Sequence, residues 1–392
     1  MARAPSLDGS DIYLTDDLLG DGERAVRDRV RRFSDEEVRP VINGFWERAE
    51  FPFELIPKLA PLGVCGGTIE GYGCPGLSPL AAGLVSMELA RGDGSISTFH
   101  GVHSGLAMTA IGLLGSEEQK ARWLPAMARL EAVGAFALTE PKHGSDAVTL
   151  ETRVRRLGGG YVIDGAKRWI GNATFADLML VWARDASGDV GAYVVEKGTP
   201  GVEARLITGK IAKRASWQAD VTLSDVRVPA ENRLANAATF DAAARVLAAA
   251  RPGIAWAALG HAVAAYEAAV DYALGREQFG TPIGGYQITQ YRLAKMLAEV
   301  TAMRLICLRL AELVSRGELT PAMASLAKMH NAARARAVVG EARDLLGGNG
   351  LLLEYDVARH LGDVEVTATV EGTDVVHALI VGREITGMSA FS

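Results

Sequence analysis

The sequence predicts an α+β protein with an N-terminal helical domain, a middle antiparallel β domain and a C-terminal four-helix bundle. Apolar residues recur at helical spacing early and late in the chain, whereas short segments rich in β-branched and aromatic residues fill the part between. No low-complexity linker separates these parts, so we expect one compact unit. The predicted domains are residues 1–134, 135–235 and 236–392.

The N-terminal domain is predicted to be helical from Asp16 to about Arg129. Acidic residues at Asp16 and Asp17 suit a helix start, and charged and apolar residues follow at mixed helical spacing. The glycines and prolines of GGTIEGYGCPGLSP, residues 66–79, predict a long loop within this domain.

The middle domain is predicted from five short segments separated by glycine-containing or serine-containing turns. Strand-forming residues dominate ETRVRRL, GYVIDGAKRWI, DLMLVWARD, GAYVVEKG and ADVTLSDVRVP. Consecutive short strands joined by turns indicate antiparallel pairing.

The C-terminal domain is predicted as four helices. A long alanine-rich helix follows Ala235, and Pro252 kinks or interrupts it. A second helix places a stripe of apolar residues on one face, a third runs from about Thr320 to Leu346, and a fourth begins near Asp374.

Composition excludes several classes of partner. A net charge of −6 spread over 392 residues lacks the basic stripe that nucleic-acid binding requires. Three cysteines form neither a disulfide framework nor a metal-binding pattern with histidines, so no metal is predicted. Apolar runs are short and interrupted, and the N-terminus lacks the layout of a secretory signal. We therefore expect no membrane span and a cytoplasmic location.

Five segments combine residues suited to ligand binding, yet each also has an ordinary structural explanation. FALTEPKHGSD at 136–146 offers hydroxyls and a glycine, although a polar loop looks the same. KRWIGN at 167–172 sets an indole beside a glycine, as a packed β domain also does. GREQFG at 275–280 suits either a pyrophosphate clamp or a helix C-cap. LLGGNG at 345–350 offers backbone N–H groups that no side chain obstructs, although a helix stop explains it equally well. VEGTDVVH at 370–377 places the carboxylate of Glu371 just before a helix, where an ordinary first-turn residue also fits.

Taken together, in this order and over almost the whole chain, the five segments resemble the acyl-CoA dehydrogenase family. The resemblance implies FAD bound between the β domain and the C-terminal bundle, an acyl-CoA substrate, and electron-transferring flavoprotein or O₂ as electron acceptor. It also implies a homotetramer, because some FAD contacts in the family come from a neighbouring subunit. The implied FAD-binding residues are Phe136, Leu138, Thr139, Ser145, Trp169, Gly171, Arg276, Phe279, Gln287, Asp344, Gly348 and Thr373.

The same resemblance implies that Glu371 is the base that removes the α-proton of the thioester. Some family members carry their base at the position of Ala250, which has no acidic group. The neighbouring Arg251 matches an arginine close to the catalytic carboxylate, although a residue before Pro252 also fits a helix kink. Burial is expected to raise the pKa of Glu371. The implied substrate-binding residues are Ser97, Ser145, Arg251 and Gly372.

Two departures from the family pattern bear on the reaction. Gly171 stands where the family usually has a threonine whose hydroxyl contacts the flavin, so the reactivity of the flavin with oxygen is open. The chain is most similar to the glutaryl-CoA dehydrogenase branch, sharing GYGCPG, LLGGNG and GREITGMSAF, but Ser97 and Ala90 replace the arginine and glutamate of that enzyme. We therefore expect a short or modified monocarboxylic acyl group and not glutaryl-CoA.

Two other functions stay open at this point. KRWIGNATFADL also resembles plant short-chain acyl-CoA oxidases, which pass electrons to O₂. A non-catalytic acyl-CoA binding protein on the same fold is the alternative outside enzymes, and the presence of Glu371 with all five segments argues against it. Peroxide yield distinguishes the oxidase, and a colourless purified protein would indicate the binding protein.

Overall fold

A computed structural model describes residues 9–390, and its N-terminal part is helical. The helices are α1 (Asp21–Phe33), α2 (Arg39–Arg48), α3 (Ile56–Leu59), α4 (Pro79–Gly92), α5 (Gly94–His100), α6 (Thr109–Leu114) and α7 (Glu117–Ala128). Asp16 and Asp17 lie in a single 3₁₀ turn, and the first α-helix begins only after the extended Gly20. Between Gly63 and Ser78 the chain forms neither helix nor strand, which confirms the predicted loop.

The middle part is one curled sheet of seven strands. They are β1 (Gly134–Ala137), β2 (Arg153–Leu157), β3 (Gly160–Gly171), β4 (Leu178–Arg184), β5 (Val190–Glu196), β6 (Val202–Leu206) and β7 (Gln218–Pro229). Antiparallel pairing holds for β2 with β3, β3 with β7, β4 with β5 and β6 with β7. The expectation of a purely antiparallel domain is wrong at β4, because β1 and the first residue of β2 both pair with β4 in parallel. The long connection from β1 through β2 and β3 allows this arrangement.

The C-terminal part is a helical bundle built on a long helix. Its helices are α8 (Phe240–Gly275), α9 (Gln287–Ser315), α10 (Pro321–Leu345), α11 (Val357–Thr367) and α12 (Asp374–Thr386), with a two-strand hairpin of β8 (Glu277–Gln278) and β9 (Thr281–Pro282) after α8. Pro252 lies inside α8 without ending it. Helix α10 contacts α8, α9 and α12, and the unpredicted α11 packs across α8 and α10.

Helix α8 is long and apolar enough to cross a membrane by length and composition alone, with a mean hydropathy of 1.2 over its best window. Arg251, Pro252 and Gly260 interrupt its apolar runs in the sequence but do not break the helix. More than half of that window, 56%, is buried inside the protein. Its apolar residues form the bundle core together with α9 and α10. The cytoplasmic location stays a prediction.

Candidate functional site

Glu371 lies in the turn between α11 and α12, just before the helix that the sequence predicted. Its backbone is left-handed, with φ of 55°, a conformation that a non-glycine residue adopts only when its surroundings enforce it. The hydroxyl of Thr373 caps α12 by accepting a hydrogen bond from the N–H of Val376 at 3.4 Å. The cap and the turn point the Glu371 carboxyl inward, where its Oε2 is buried and has no hydrogen-bond partner among residues 9–390.

Three cations surround this carboxyl without touching it. Burial raises the pKa of Glu371 to about 7, and the charges of Arg251, Lys328 and Lys213 oppose that increase. In the described chain, none of the three nitrogens forms an ion pair with Glu371 within 4.0 Å. A carboxyl of raised pKa near positive charges that form no ion pair with it is suited to accept a proton near neutral pH.

Lys328 of α10 fixes the backbone next to Glu371. Its fully buried Nζ donates to the carbonyl of Gly372 at 2.7 Å and lies 3.8 Å from Asp374. Gly372 has φ of 103°, and a Cβ there would lie 2.9 Å from Nε2 of His377. Only glycine fits this position without strain. Lys328 and His377 therefore hold the peptide that presents the carboxyl.

Arg251 projects from α8, one residue before Pro252. Its Nε is buried and has no hydrogen-bond partner in the described part of the chain. Burial lowers the pKa of Arg251, and the charge of Glu371 opposes this effect. The structure thus brings Arg251 and Glu371 into electrostatic contact, whereas Ala250 offers no acidic group.

At the other side of the site, a buried ion pair joins the ends of β1 and β3. The Nζ of Lys167 donates to Oε1 of Glu140 at 2.9 Å and to the carbonyl of Leu138 at 3.1 Å. Glu140 also accepts the backbone N–H groups of Glu151 and Thr152. These contacts place the FALTEP and KRWIGN segments side by side, and a hydrogen bond of 2.9 Å from the N–H of Arg168 to the carbonyl of Thr139 joins them directly.

Trp169 is presented by a bulge in β3. The pairing of β3 with β7 shifts register between Lys167 and Ile170, and Trp169 adopts φ of 63°. A bulge turns a side chain away from its normal side of the sheet. The indole is 51% exposed, and the guanidinium of Arg168 lies 5.3 Å from its ring centre. The exposed face of the indole is available to a planar ligand.

Gly171 ends β3 against a π-helical segment, Gly101–Met108. A Cβ at Gly171 would lie 2.9 Å from Cγ2 of Val102. The space that a larger side chain would need is therefore occupied by an apolar group. π-Helical turns are rare and are frequently found at functional sites.

The remaining predicted FAD residues form a second group at one end of the bundle. Arg276 and the 97%-exposed Phe279 follow α8, Gln287 begins α9, and Asp344 and Gly348 lie at the end of α10. Within this group, Arg292 of α9 contacts Asp344 at 2.7 Å. Among the described residues, no hydrogen bond or ion pair joins this group to Thr139, Trp169 or Glu371.

The first group of predicted FAD residues has side chains and backbone that suit a flavin, and it consists of Phe136, Leu138, Thr139, Ser145, Trp169, Gly171 and Thr373. Phe136 and Leu138 are buried at the end of β1, Thr139 is half-buried beside them, and Ser145 lies on the exposed loop that follows. Together with the open face of Trp169 they offer apolar contact and hydroxyl groups to a planar ring. Ser97 is buried on α5. No cluster of three or more metal-ligating side chains occurs in residues 9–390.

Sequence reasoning missed four residues of this site: Glu140, Lys167, Lys213 and Lys328. Glu140 lies in the FALTEPKHGSD segment and Lys167 in KRWIGN, so their opposite charges could have been noticed in the sequence. Lys213 and Lys328 lie outside every motif, and only their burial beside Glu371 reveals them.

Comparisons with known proteins agree with this geometry. Models of the N-terminal, middle and C-terminal domains of acyl-CoA dehydrogenase match residues 20–131, 135–226 and 240–386. An acyl-CoA dehydrogenase of Bacillus subtilis is 34% identical over 368 residues, 92% of this chain and 97% of that protein. This chain belongs to the acyl-CoA dehydrogenase family.

Solved structures of family members extend the comparison. A glutaryl-CoA dehydrogenase from Mycobacterium smegmatis has a TM-score of 0.95 and 41% identity over 98% of this chain and 100% of its own. A glutaryl-CoA dehydrogenase from the same organism in complex with FADH2 has a TM-score of 0.95 and 38% identity over 98% of this chain and 99% of its own. The chain is thus an FAD-dependent oxidoreductase of the acyl-CoA dehydrogenase family, with the fold that the sequence predicted.

Proposed function

We propose that this enzyme oxidises a short or modified acyl-CoA thioester to its trans-2-enoyl-CoA, with Glu371 as the base. The observation that supports the proposal most strongly is the buried Glu371 carboxyl, whose pKa is raised to about 7 and whose Oε2 is unpaired. A glutamate of ordinary pKa is a weaker base, and a hydrogen-bonded one would first have to break its contacts.

In the proposed reaction the α-carbon loses a proton to Oε2 of Glu371 and the β-carbon loses a hydride as the double bond forms. Bound FAD supplies the two-electron acceptor for that hydride. The backbone N–H of Glu371 donates no hydrogen bond to another backbone group in residues 9–390, so it is free to bind the thioester oxygen. Arg251 stabilises the ionised carboxylate before proton transfer, and Lys328 holds the Gly372 peptide in place.

Two partners are part of this proposal. Electron-transferring flavoprotein is the electron acceptor, and a second copy of the chain supplies Arg276, Phe279, Gln287, Asp344 and Gly348 to each FAD. The exposure of these residues supports a homo-oligomer, which the family resemblance makes a tetramer. Ser97 and Ala90, in place of a cation and a carboxylate, argue against glutaryl-CoA bound in the manner of glutaryl-CoA dehydrogenases.

Glu371→Gln tests the proposal directly. The amide keeps the size of the side chain but cannot take a proton, so we expect the variant to retain FAD and bind acyl-CoA while flavin reduction falls by at least about 10³-fold. Anaerobic bleaching of the flavin on mixing with a panel of acyl-CoA thioesters measures this. Asp374→Asn, which removes a neighbouring carboxylate on the first turn of α12, is the control. Bleaching at the normal rate by Glu371→Gln would rule out the assigned base.

A short-chain acyl-CoA oxidase is the second candidate. The packing of Val102 against Gly171 supports it, because it leaves no room at Gly171 for the threonine whose hydroxyl usually contacts the flavin in this family. Comparing peroxide yield with turnover on electron-transferring flavoprotein distinguishes the two enzymes.

A further inference from the structure

Lys213 links all three domains of the chain. It lies on the loop between β6 and β7, and its backbone N–H donates to Oδ1 of Asp363 on α11. Its Nζ donates to the hydroxyl of Thr98 on α5 at 2.7 Å. That hydroxyl in turn donates to the carbonyl of Gly94 at 2.9 Å, so it acts as an acceptor for Lys213. The side chain is therefore fixed in one direction at the domain junction.

The ammonium group of Lys213 is buried and incompletely paired. The residue is 7% exposed, and Thr98 is the one acceptor of its Nζ among residues 9–390. An ammonium has three N–H donors, and no carboxylate in the described chain lies within 4.0 Å of this one. A buried cation with unused donors is costly unless a further acceptor reaches it.

The backbone of Lys213 is also strained. Its φ is 43°, in the left-handed region that disfavours a long side chain. Such conformations cost about 1–3 kcal/mol and persist where the surrounding structure enforces them, often at ligand sites. Here the bond from its N–H to Asp363 enforces the conformation that directs the side chain to Thr98.

No neighbouring carboxylate in residues 9–390 forms an ion pair with Lys213. Burial lowers the pKa of Lys213, and the charges of Asp363, Asp93 and Glu371 oppose this effect from beyond ion-pair distance. The cation of Lys210 lies nearby. Asp93 is already paired with Arg359 at 2.8 Å. Lys210, on the same loop, provides a contrast, because its Nζ donates to the carbonyls of Lys213 and Ser216 and to Gln218.

The position of Lys213 connects it with the substrate. Its charge acts on Glu371, and its contact residue Thr98 follows Ser97, which we expect to contact substrate. The prediction of a monocarboxylic acyl group rested on the absence of a cation at Ser97. Lys213, from the loop before β7, places a cation against Thr98, the residue that follows Ser97 on α5.

We propose that Lys213 is the specificity-determining residue of this enzyme, and that it binds a carboxylate carried by the acyl group of the substrate. A carboxylate would satisfy the unused N–H donors and balance the positive charge that Lys213 and Arg251 leave without an ion pair. The substrate class is therefore an acyl-CoA with a carboxylate on its acyl chain. This inference rests on the proposed function and replaces the monocarboxylic expectation.

Matched thioester pairs test this inference on the FAD-loaded enzyme. The pairs are succinyl-CoA with butyryl-CoA, glutaryl-CoA with valeryl-CoA, and adipyl-CoA with hexanoyl-CoA. We expect one carboxylated thioester to exceed its partner by about 100-fold in kcat/KM, since truncating one member of a buried charge pair costs that much or more. Lys213→Met should abolish this preference by raising KM for the carboxylated member. Because the charge of Lys213 also acts on Glu371, both members are compared at a pH well above the pKa of Glu371, and the ratio of their kcat/KM values is the readout.

Binding provides a second measurement that does not depend on turnover. In the Glu371→Gln background, calorimetry gives Kd for the same thioesters, and adding Lys213→Met should weaken the carboxylated one by about 100-fold. Lys213→Arg should retain part of the preference, because it keeps the charge. Lys210→Met perturbs the same loop but leaves the Lys213 ammonium, so it should affect both members of a pair equally. If Lys213→Met does not fold, Lys213→Gln removes the charge while keeping a donor.

Two outcomes would separate the failure of this inference from that of the proposed function. If uncharged thioesters bleach the flavin at least as well as carboxylated ones, or if Lys213→Met lowers both equally, Lys213 is structural and the inference is wrong while the function stands. If no thioester bleaches the flavin, the proposed function is wrong, and the calorimetry still decides whether Lys213 binds the carboxylate.

Discussion

At the scale of single residues, the base strength of Glu371 results from two opposing effects. Removing the carboxyl from water raises its pKa, while Arg251, Lys328 and Lys213 lower it, and burial has the larger effect. Because the cations lie beyond 4 Å, they tune the proton affinity without occupying the oxygen that must accept the proton.

The dependence of activity on pH follows from this balance. The ionised base is the active form, so kcat/KM should be full above the pKa of about 7 and fall roughly tenfold for each pH unit below it. Arg251→Met removes a charge that favours the ionised form, so its profile should shift to higher pH. Stopped-flow flavin reduction across a pH series measures both profiles. Arg245→Met, an exposed arginine on the same helix, is the control, and an unshifted Arg251→Met profile would contradict this account.

At the scale of secondary structure, the flavin side of the site depends on the ends of β1 and β3. The fully buried pair of Lys167 and Glu140 holds these ends together, and the bulge next to it presents Trp169. Burial lowers the pKa of Lys167 to about 8, whereas the charge of Lys167 and hydrogen bonds keep the pKa of Glu140 below its usual value. The pair therefore remains charged at neutral pH.

Removing one partner should be costly, because the other is left charged and buried. We expect Lys167→Met to lower the free energy of unfolding by about 3–5 kcal/mol and to weaken FAD retention. Urea unfolding and flavin absorbance after gel filtration measure these effects. Lys197→Met breaks the exposed pair with Asp177 in the same domain and should cost less than about 1 kcal/mol. Equal losses in the two variants would mean that the buried pair has no special role.

At the scale of the whole molecule, the predicted FAD residues fall into two groups that no hydrogen bond or ion pair joins within residues 9–390. Phe279 is 97% exposed on the hairpin after α8, whereas Thr139 and Trp169 lie at the sheet. A large aromatic side chain exposed to this extent suits contact with a ligand or a second subunit. The proposed site is complete only when a partner chain supplies the second group.

Subunit complementation tests this arrangement. Glu371→Gln and Arg276→Gln should each be inactive when expressed alone. When they are co-expressed, a mixed oligomer contains sites that combine an intact Glu371 from one chain with an intact Arg276 from the other, so activity and bound flavin should return. Co-expression of Glu371→Gln with Glu371→Gln, Arg276→Gln is the control, because no mixed site is intact there. If the site were formed within a single chain, every site would keep one defect and activity would not return.

The sequence by itself determined the order of helical and β parts, the loop before Ser78 and the helix start at Asp374. These features depend on periodicity, glycine and proline content and caps, which are local properties of the chain. It also determined the family, because the motif segments around Trp169 and Glu371 carry that resemblance in their own letters. The structure confirmed this plan and added the parallel pairing of β1 and the helix α11.

Only the tertiary structure decided which side chains act on Glu371 and which space is left beside Gly171. Lys213, Lys328 and Arg251 come from three separate segments, and their effect depends on burial and distance, which no local pattern contains. Val102 reaches Gly171 from another domain, so the fit of a side chain there depends on packing. The local sequence therefore predicted the base, whereas long-range contacts set the pKa of Glu371 and, by our proposal, the charge of the substrate that it meets.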